Sequence, residues 1–129
     1  MQKFIKKALP VIAVQLNLDT EGFAYEKWGG TQTCKQGDWI VNNDGETYTI
    51  DADTFFSTYA PKSPGLYVKV TPVWAKPATV AGSIETKEGA THYAAGDILV
   101  FNNADGTDGY AMAQDKFASM YEIVDASNQ

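Results

Sequence analysis

The sequence predicts a mainly β protein of the α+β class, made of two tandem, pseudo-equivalent units that each contain a β-hairpin and a short helix. One observation is a repeated pattern: Gly-Asp, an apolar strand and a turn rich in Asn, Asp and Gly occupy residues 37–48 and recur at 96–110. A second observation is that two aromatic residues four positions apart follow each pattern, which is typical of a short helix with one apolar face. Both halves are therefore expected to share one order of elements.

Matches between the halves extend this repeat over most of the chain. We expect a first unit at residues 1–62 and a second at 63–129. Because about 60 residues bury too little surface to be stable alone, we expect the units to pack as one compact body, a small barrel or sandwich. In order, the matched pairs are Pro10/Pro72, Val11/Val73, Ala13/Ala75, Glu26/Glu85, Gly30/Gly89, Gly37/Gly96, Asp38/Asp97, Asp44/Asp105, Gly45/Gly106, Tyr48/Tyr110, Asp53/Asp115, Phe55/Phe117 and Tyr59/Tyr121.

Each unit opens with a predicted strand, around residues 5–16 in the first and 67–75 in the second. Both stretches are rich in Val and Ile, which favour strands, and both contain a proline, which favours a sheet edge or a bulge. A variable segment follows, and then a hairpin. In the first unit its strands are predicted at 39–41 and 46–50, joined by Asn-Asn-Asp-Gly, whose residues tolerate the positive φ of such turns.

The helix after each hairpin is expected to be two turns at most. Pro61 after the first helix, and the extended pattern at 122–124 after the second, return the chain to strand. Asp51 and Asp53 are placed to cap the first helix, because their oxygens can accept hydrogen bonds from free backbone N–H groups. In the second unit only Asp115 is available for that purpose.

Composition and charge exclude several classes of function. Sixteen acidic against ten basic residues give a net charge of −6, which disfavours nucleic acid as a partner because a polyanion would be repelled. We interpret Lys3, Lys6 and Lys7 as a solvated strand end, with a small basic patch as the alternative. The apolar runs are too short to span a membrane, and Pro10 and Gln15 argue against a signal peptide.

The cysteine and histidine content bears on compartment and cofactors. Cys34 is the only cysteine in the sequence and cannot form an internal disulfide, which fits a reducing compartment such as the cytoplasm. The sequence contains no Cys/His cluster, so a zinc site is not expected. We expect no metal and no cofactor.

A set of residues in the first unit is similar to a known pattern. It comprises Lys6-Lys7, Pro10, Ala13-Val14-Gln15, Gly37-Asp38-Trp39-Ile40-Val41, Asp44-Gly45-Glu46, Tyr48, Asp53, Phe55 and Thr58-Tyr59. In this order the residues resemble the PGDYG-type family of small phage and bacterial proteins, and the second unit resembles it in degenerate form. The chain departs from the pattern at Gln36, where the family has proline, and at Asp51-Ala52, where it has Lys-Pro. The resemblance implies a phage or prophage origin and a cytoplasmic or virion setting, and it implies no activity.

Four residues are candidates for binding, and no catalytic set is predicted. Trp28, in the variable Gly-flanked segment, either contacts a partner or packs against the protein. Asp38 and Asp97 hold equivalent positions and either form a paired-carboxylate site or accept backbone hydrogen bonds in turns. His92 is the only histidine of the sequence, and it is either a base or a partly exposed strand residue.

Two functional hypotheses follow. The first is a non-enzymatic phage-type interaction or assembly module, such as a capsid decoration protein or a binder of a host factor. Its partner would be another protein, through self-association, a capsid or a host factor, and not a nucleic acid or a membrane. The second is a small enzyme or nucleotide-binding protein that uses the cleft between the two units, where Asp38, Asp97 and His92 would converge.

Overall fold

The computed structural model of the protein describes residues 1–7 and 9–124, and it confirms the mainly β class. Within these residues fourteen strands and two seven-residue helices follow one another. The strands are β1 (Gln2–Lys6), β2 (Val11–Gln15), β3 (Phe23–Lys27), β4 (Gly30–Cys34), β5 (Trp39–Asn43), β6 (Glu46–Ile50), β7 (Tyr59–Ser63), β8 (Leu66–Lys69), β9 (Val73–Pro77), β10 (Gly82–Glu85), β11 (Ala90–Tyr93), β12 (Ile98–Phe101), β13 (Gly109–Met112) and β14 (Tyr121–Ile123). The helices are α1 (Ala52–Thr58) and α2 (Gln114–Met120).

Two five-stranded sheets and two separate hairpins make up the fold. The first sheet has the strand order β6-β5-β2-β8-β7, and the second sheet has the order β13-β12-β9-β1-β14. Strand by strand, the two orders correspond, with β1 in the place that β8 holds in the first sheet. The hairpins β3-β4 and β10-β11 contact one another through Gln32, whose side chain donates a hydrogen bond to the Ala90 carbonyl at 2.7 Å.

The chain exchanges a strand between the two sheets, in that its first strand joins the sheet that the second half of the chain otherwise forms. β1 pairs with β9 and β14 of the second sheet, whereas the next strand, β2, pairs with β5 and β8 of the first. The predicted single strands at 5–16 and 67–75 are therefore wrong, since each divides into two strands that join different sheets. Pro10 and Pro72 lie in these two crossings and lack the N–H that continuous pairing would need. The sheets consequently do not divide at the predicted boundary between residues 62 and 63.

The sheets are open, and each has its own apolar cluster. Their edge strands do not pair with one another in the described part of the chain, so the predicted barrel is wrong, whereas a sandwich is consistent with the arrangement. Trp39 stacks on Phe55 of α1 at a centroid distance of 4.1 Å in the first sheet, and Phe117 of α2 stacks on Tyr121 at 4.9 Å in the second. The apolar side chains thus form two clusters, one for each sheet, with a cavity between them.

Local signals in the sequence set the turns and the first helix. Asp44 and Gly45 have φ values of 54° and 91°, which confirms the predicted hairpin turn between β5 and β6. The Asp51 carboxylate accepts a hydrogen bond from the Thr54 N–H at 3.2 Å and caps α1, as predicted. Asp115 does not cap α2, because the N-cap is Ala113 and Asp115 lies in the first turn.

Neither helix in the described part of the chain is long and apolar enough to cross a membrane.

Candidate functional site

A cavity of about 490 Å³ lies between the two sheets, next to a more open surface groove of about 830 Å³. Strands of both sheets, both helices and both hairpins contribute to its walls. This volume lies within the range of sites that hold small organic molecules. The cavity and the groove share lining residues from α1 and from the segments before β11 and β13.

Tyrosines from both sheets form the floor of the cavity. Tyr48 and Tyr59 come from the first sheet, and Tyr110 and Tyr121 hold the equivalent positions in the second. The hydroxyl groups of Tyr110 and Tyr121 are hydrogen-bonded at 2.8 Å, and Asn43 donates to the Tyr48 hydroxyl at 3.2 Å. Burial is the main cause that raises the pKa of all four tyrosines. They therefore present protonated hydroxyl groups at neutral pH.

Lys69 brings an amino group to this floor. Its Nζ donates a hydrogen bond to Asn102 Oδ1 at 2.8 Å, and Asn102 Nδ2 in turn donates to Asp108 at 2.9 Å. The Nζ also lies 5.9 Å from the ring centroid of Tyr59 and 5.6 Å from that of Tyr110, one ring from each sheet. Burial, with a smaller contribution from the charge of Lys6, lowers the pKa of Lys69 to about 7. Near neutral pH a large share of Lys69 is therefore an uncharged amine.

Lys6 lies behind the floor as a second buried cation. The residue is 7% exposed, and its Nζ has no hydrogen-bond partner among the described residues. It does not line the cavity, but its Nζ lies 5.9 Å from the ring centroid of Tyr59, which does. Burial lowers the pKa of Lys6 to about 8. The expected solvated strand end is therefore wrong for Lys6, because Lys6 and Phe4 lie on the inward face of β1.

Acidic side chains surround the polar floor. Burial, assisted by the charge of Asp51, raises the pKa of Glu88 to about 7, and its Oε2 has no partner among the described residues. Lys87 Nζ lies 3.6 Å from Asp51 and partly offsets this charge. The described residues contain no group of three or more His, Cys, Asp and Glu side chains placed to hold a metal ion. The acidic side chains that line the cavity are Glu46, Asp51, Glu88, Asp97, Asp108 and Asp115.

Three of the four predicted binding residues line this cavity. Trp28 and His92 lie together at one side, where the His92 N–H donates to the Trp28 carbonyl at 2.9 Å and the Trp28 and Tyr48 ring centroids are 6.0 Å apart. Asp97 also contributes to the lining, whereas Asp38 does not. His92 and Asp97 therefore both line the cleft, whereas Asp38, the third member of the predicted set, does not.

Asp38 and Asp97 have the same local role. Each carboxylate accepts a hydrogen bond from the backbone N–H three residues earlier, Lys35 at 3.0 Å and Ala94 at 2.9 Å. Lys35 Nζ also lies 3.1 Å from Asp38, which is 2% exposed. These contacts agree with the second alternative given above for Asp38 and Asp97, in which each aspartate accepts a backbone hydrogen bond in the turn before a strand.

Sequence reasoning missed Lys6, Lys69 and the four floor tyrosines as site residues. The repeat already aligned Tyr48 with Tyr110 and Tyr59 with Tyr121, but an aligned tyrosine is equally typical of an apolar core. The lysines are paired in register with these tyrosines, Lys6 with Tyr121 and Lys69 with Tyr59. That pairing depends on the strand exchange, which the sequence pattern did not indicate.

No protein-family model, curated protein sequence or solved structure matches the chain.

Proposed function

We propose that the protein is a non-enzymatic binding module that holds a small organic anion in the cavity between its two sheets. The observation that carries the proposal is the pair of buried lysines at the floor, of which Lys69 faces the cavity. When both are protonated, Lys6 and Lys69 repel each other, because no carboxylate of the described residues forms a salt bridge with either. An anionic group placed between the tyrosines favours the protonated form of Lys69 and relieves that repulsion.

The walls restrict the kind of anion. The rings of four tyrosines, together with Met112 and Met120, favour a ligand with an aromatic or apolar body. The acidic side chains around the floor disfavour a polyanion, so a single carboxylate fits better than a nucleotide triphosphate. This argument favours binding of a simple carboxylate over the nucleotide alternative.

Benzoate is a suitable probe for this proposal, because it combines one carboxylate with an aromatic ring. We expect saturable binding in calorimetry that is stronger at pH 6 than at pH 8, since the bound anion favours protonated lysine. Lys69→Met should weaken binding about tenfold or more, because a charged hydrogen bond is lost. Lys62→Met, an exposed residue of β7, is the matched control and should leave binding unchanged. Equal binding by both variants would contradict the proposal.

A second candidate function is attachment to another protein, as a phage-type assembly module would require. It is supported by Ile12 and Val14, which are 58% and 60% exposed on the outward face of β2. Replacing both residues by lysine should reduce the apparent mass in light scattering if this face mediates self-association. Val80→Lys, an equally exposed apolar residue outside the strands, is the control. An unchanged mass in all three proteins, equal to that of a monomer, would contradict self-association through this face.

We further propose that the chain arose by tandem duplication of a PGDYG-type unit in a phage or prophage setting. The corresponding strand orders of the two sheets and the equivalent turn contacts of Asp38 and Asp97 support duplication. The units we propose are residues 9–70, and residues 71–124 together with 1–7. The resemblance to the family, and the cytoplasmic or virion location that it implies, stay predictions.

A further inference from the structure

We propose that Lys69 forms a Schiff base with a small carbonyl compound that enters the cavity, and that keto or aldehyde acids are the preferred class. The inference rests on the proposed function in one respect, namely that the cavity admits small carboxylates. It adds a covalent step that an anion-binding site alone would not need.

Access to the cavity and the surroundings of its amine together distinguish Lys69. Its Nζ lies within 6 Å of a tyrosine ring centroid from each sheet, Lys69 lines the cavity, and the Nζ donates a hydrogen bond to the neutral oxygen of Asn102. No carboxylate oxygen of residues 1–7 and 9–124 lies within 4.0 Å of this Nζ. Lys69 is therefore an amine that is not neutralised by an ion pair and that a ligand can reach.

Other lysines differ from Lys69 in their surroundings. Lys116 of α2 also lines the cavity, and Lys69 differs from it in lying 5.9 Å and 5.6 Å from the ring centroids of Tyr59 and Tyr110. Lys27, Lys35 and Lys87 form ion pairs with carboxylates, which favour their charged and unreactive form. Lys62 and Lys76 are exposed to water, and Lys6 is buried behind the floor. A buried lysine beside a second cation is a known arrangement for an amine nucleophile, because burial and the neighbouring positive charge both favour the uncharged amine.

The groups that face the Lys69 amine set its protonation. The positive charge of Lys6 on β1 disfavours protonation of Lys69. The negative charge of Asp108, which accepts a hydrogen bond from Asn102, favours protonation of Lys69. The rings of Tyr59 and Tyr110 complete the surroundings, and burial raises the pKa of both hydroxyl groups so that they stay neutral. The uncharged fraction of Lys69 should therefore fall when the charge of Lys6 is removed.

The reaction is balanced without any further reagent. The neutral amine adds to the carbonyl carbon, and a proton moves from the nitrogen to the oxygen to give a carbinolamine. Loss of one water molecule then leaves a C=N bond between Nζ and the former carbonyl carbon. No electrons are exchanged, and solvent water carries the remaining protons. A carboxylate on the same ligand would lie in the positive field of Lys6, which is why keto and aldehyde acids are preferred.

Borohydride trapping tests this step on the full chain. The protein is incubated with glyoxylate at pH 7, reduced, digested and analysed by mass spectrometry. We expect the reduced adduct at Lys69 at least about tenfold above that at Lys62 or Lys76, the two exposed lysines that serve as internal controls. Labelling that is uniform over the three lysines would overturn the proposal.

Two variants test the role of the neighbouring cation. Lys69→Arg retains the charge but should abolish the site-specific adduct. Lys6→Met retains the Lys69 amine, and it should slow trapping at pH 7 several-fold while having little effect at pH 10, where Lys69 is neutral in both proteins. An equal trapping rate for Lys6→Met and the parent chain at pH 7 would contradict the assigned influence of Lys6.

Two further probes separate this inference from the proposed function. Propanal carries a carbonyl group without a charge, and benzoate carries a carboxylate without a reactive carbonyl. If benzoate binds but neither glyoxylate nor propanal is trapped at Lys69, the covalent step is wrong and the anion site stands. If both carbonyl compounds are trapped at Lys69 but benzoate neither binds nor protects, the Schiff base stands and the proposed anion site is wrong.

Discussion

Lys6 and Lys69 occupy equivalent places in the two sheets but have different hydrogen-bond partners. Lys69 donates to Asn102 across the cavity, whereas Asn43, the residue equivalent to Asn102, donates to the Tyr48 hydroxyl and contacts the Met120 sulfur at 3.4 Å. Lys6 therefore has no polar partner among the described residues. The two halves of the floor are thus alike in composition but differ in their hydrogen bonds, and of these two lysines Lys69 lines the cavity and Lys6 does not.

The buried lysines and Glu88 should make stability depend on pH in opposite senses. The folded chain binds the Glu88 proton more tightly than the unfolded chain, since burial raises its pKa from 4.5 to about 7. That stabilisation is complete below pH 4.5 and is lost as the pH rises to 7. Burial lowers the pKa of Lys6 and Lys69 from 10.5 to about 8 and 7, so that their destabilising effect disappears as the pH rises towards 10.5. We expect a minimum of the unfolding free energy near pH 7, about 1–2 kcal/mol below the values at pH 5 and 9 after allowance for screening.

Urea unfolding at a series of pH values measures this profile. Glu88→Gln should flatten the acidic limb, and Lys69→Met should flatten the alkaline limb. Glu21→Gln, at an exposed site, is the control that should leave both limbs intact. A profile that rises or falls steadily from pH 5 to pH 9 would contradict the assignment of these three groups.

At the scale of elements, the two helices have the same length and different beginnings. The Asp51 side chain caps α1 and also lies near Lys87, whereas Ala113 begins α2 without a side-chain hydrogen bond. Hydrogen bonds from Thr54 and the charge of Lys87 outweigh the effect of burial and lower the pKa of Asp51. Both contacts favour its ionised form, which is also the better acceptor for a helix N-terminus.

Removal of this cap should destabilise the protein. We expect Asp51→Ala to lower the unfolding free energy by about 1–2 kcal/mol, because an N-cap acceptor and a partly buried ion-pair partner are lost together. Asp53→Ala, two positions later in the first turn, is the matched control and should cost well under 1 kcal/mol. Equal effects of the two variants in urea unfolding would show that the cap contributes little.

Local signals explain which elements could be predicted from the sequence. The Asp44-Gly45 turn, the two short helices and the strands that flank each turn depend on residues close in the chain, and these predictions agree with the structure. The strand exchange depends on which sheet accepts β1, a long-range pairing that leaves the residue pattern of β1 unchanged. Lys6 was misplaced for this reason, since only the pairing with β9 and β14 fixes which face of β1 is buried.

At the scale of the whole molecule, the exchange ties the two sheets together. The chain passes from the second sheet to the first between β1 and β2, and it returns between β8 and β9. In the second sheet β14 is joined only through β1, so the N-terminal strand holds the C-terminal strand in place. In the first sheet β8 has the same role for β7. Each sheet is thus completed by the strand that lies next to a crossing.

This connectivity predicts which half of the chain can fold alone. Residues 9–70 contain all five strands of the first sheet, helix α1 and the cluster around Trp39 and Phe55. Although a unit of about 60 residues was expected to be too small to be stable alone, the whole apolar cluster of the first sheet lies within this fragment, so we expect it to unfold cooperatively in urea. Its stability should be lower than that of the full chain, because its face towards the cavity is exposed. Residues 1–62, the boundary that the repeat alone suggests, lack β8 and should give no cooperative transition, since β7 loses its partner and β1 has none. The fragments have the same length and share residues 9–62, so the comparison tests whether β8 or β1 completes the first sheet. Cooperative folding of 1–62 with a stability equal to that of 9–70 would contradict the exchange.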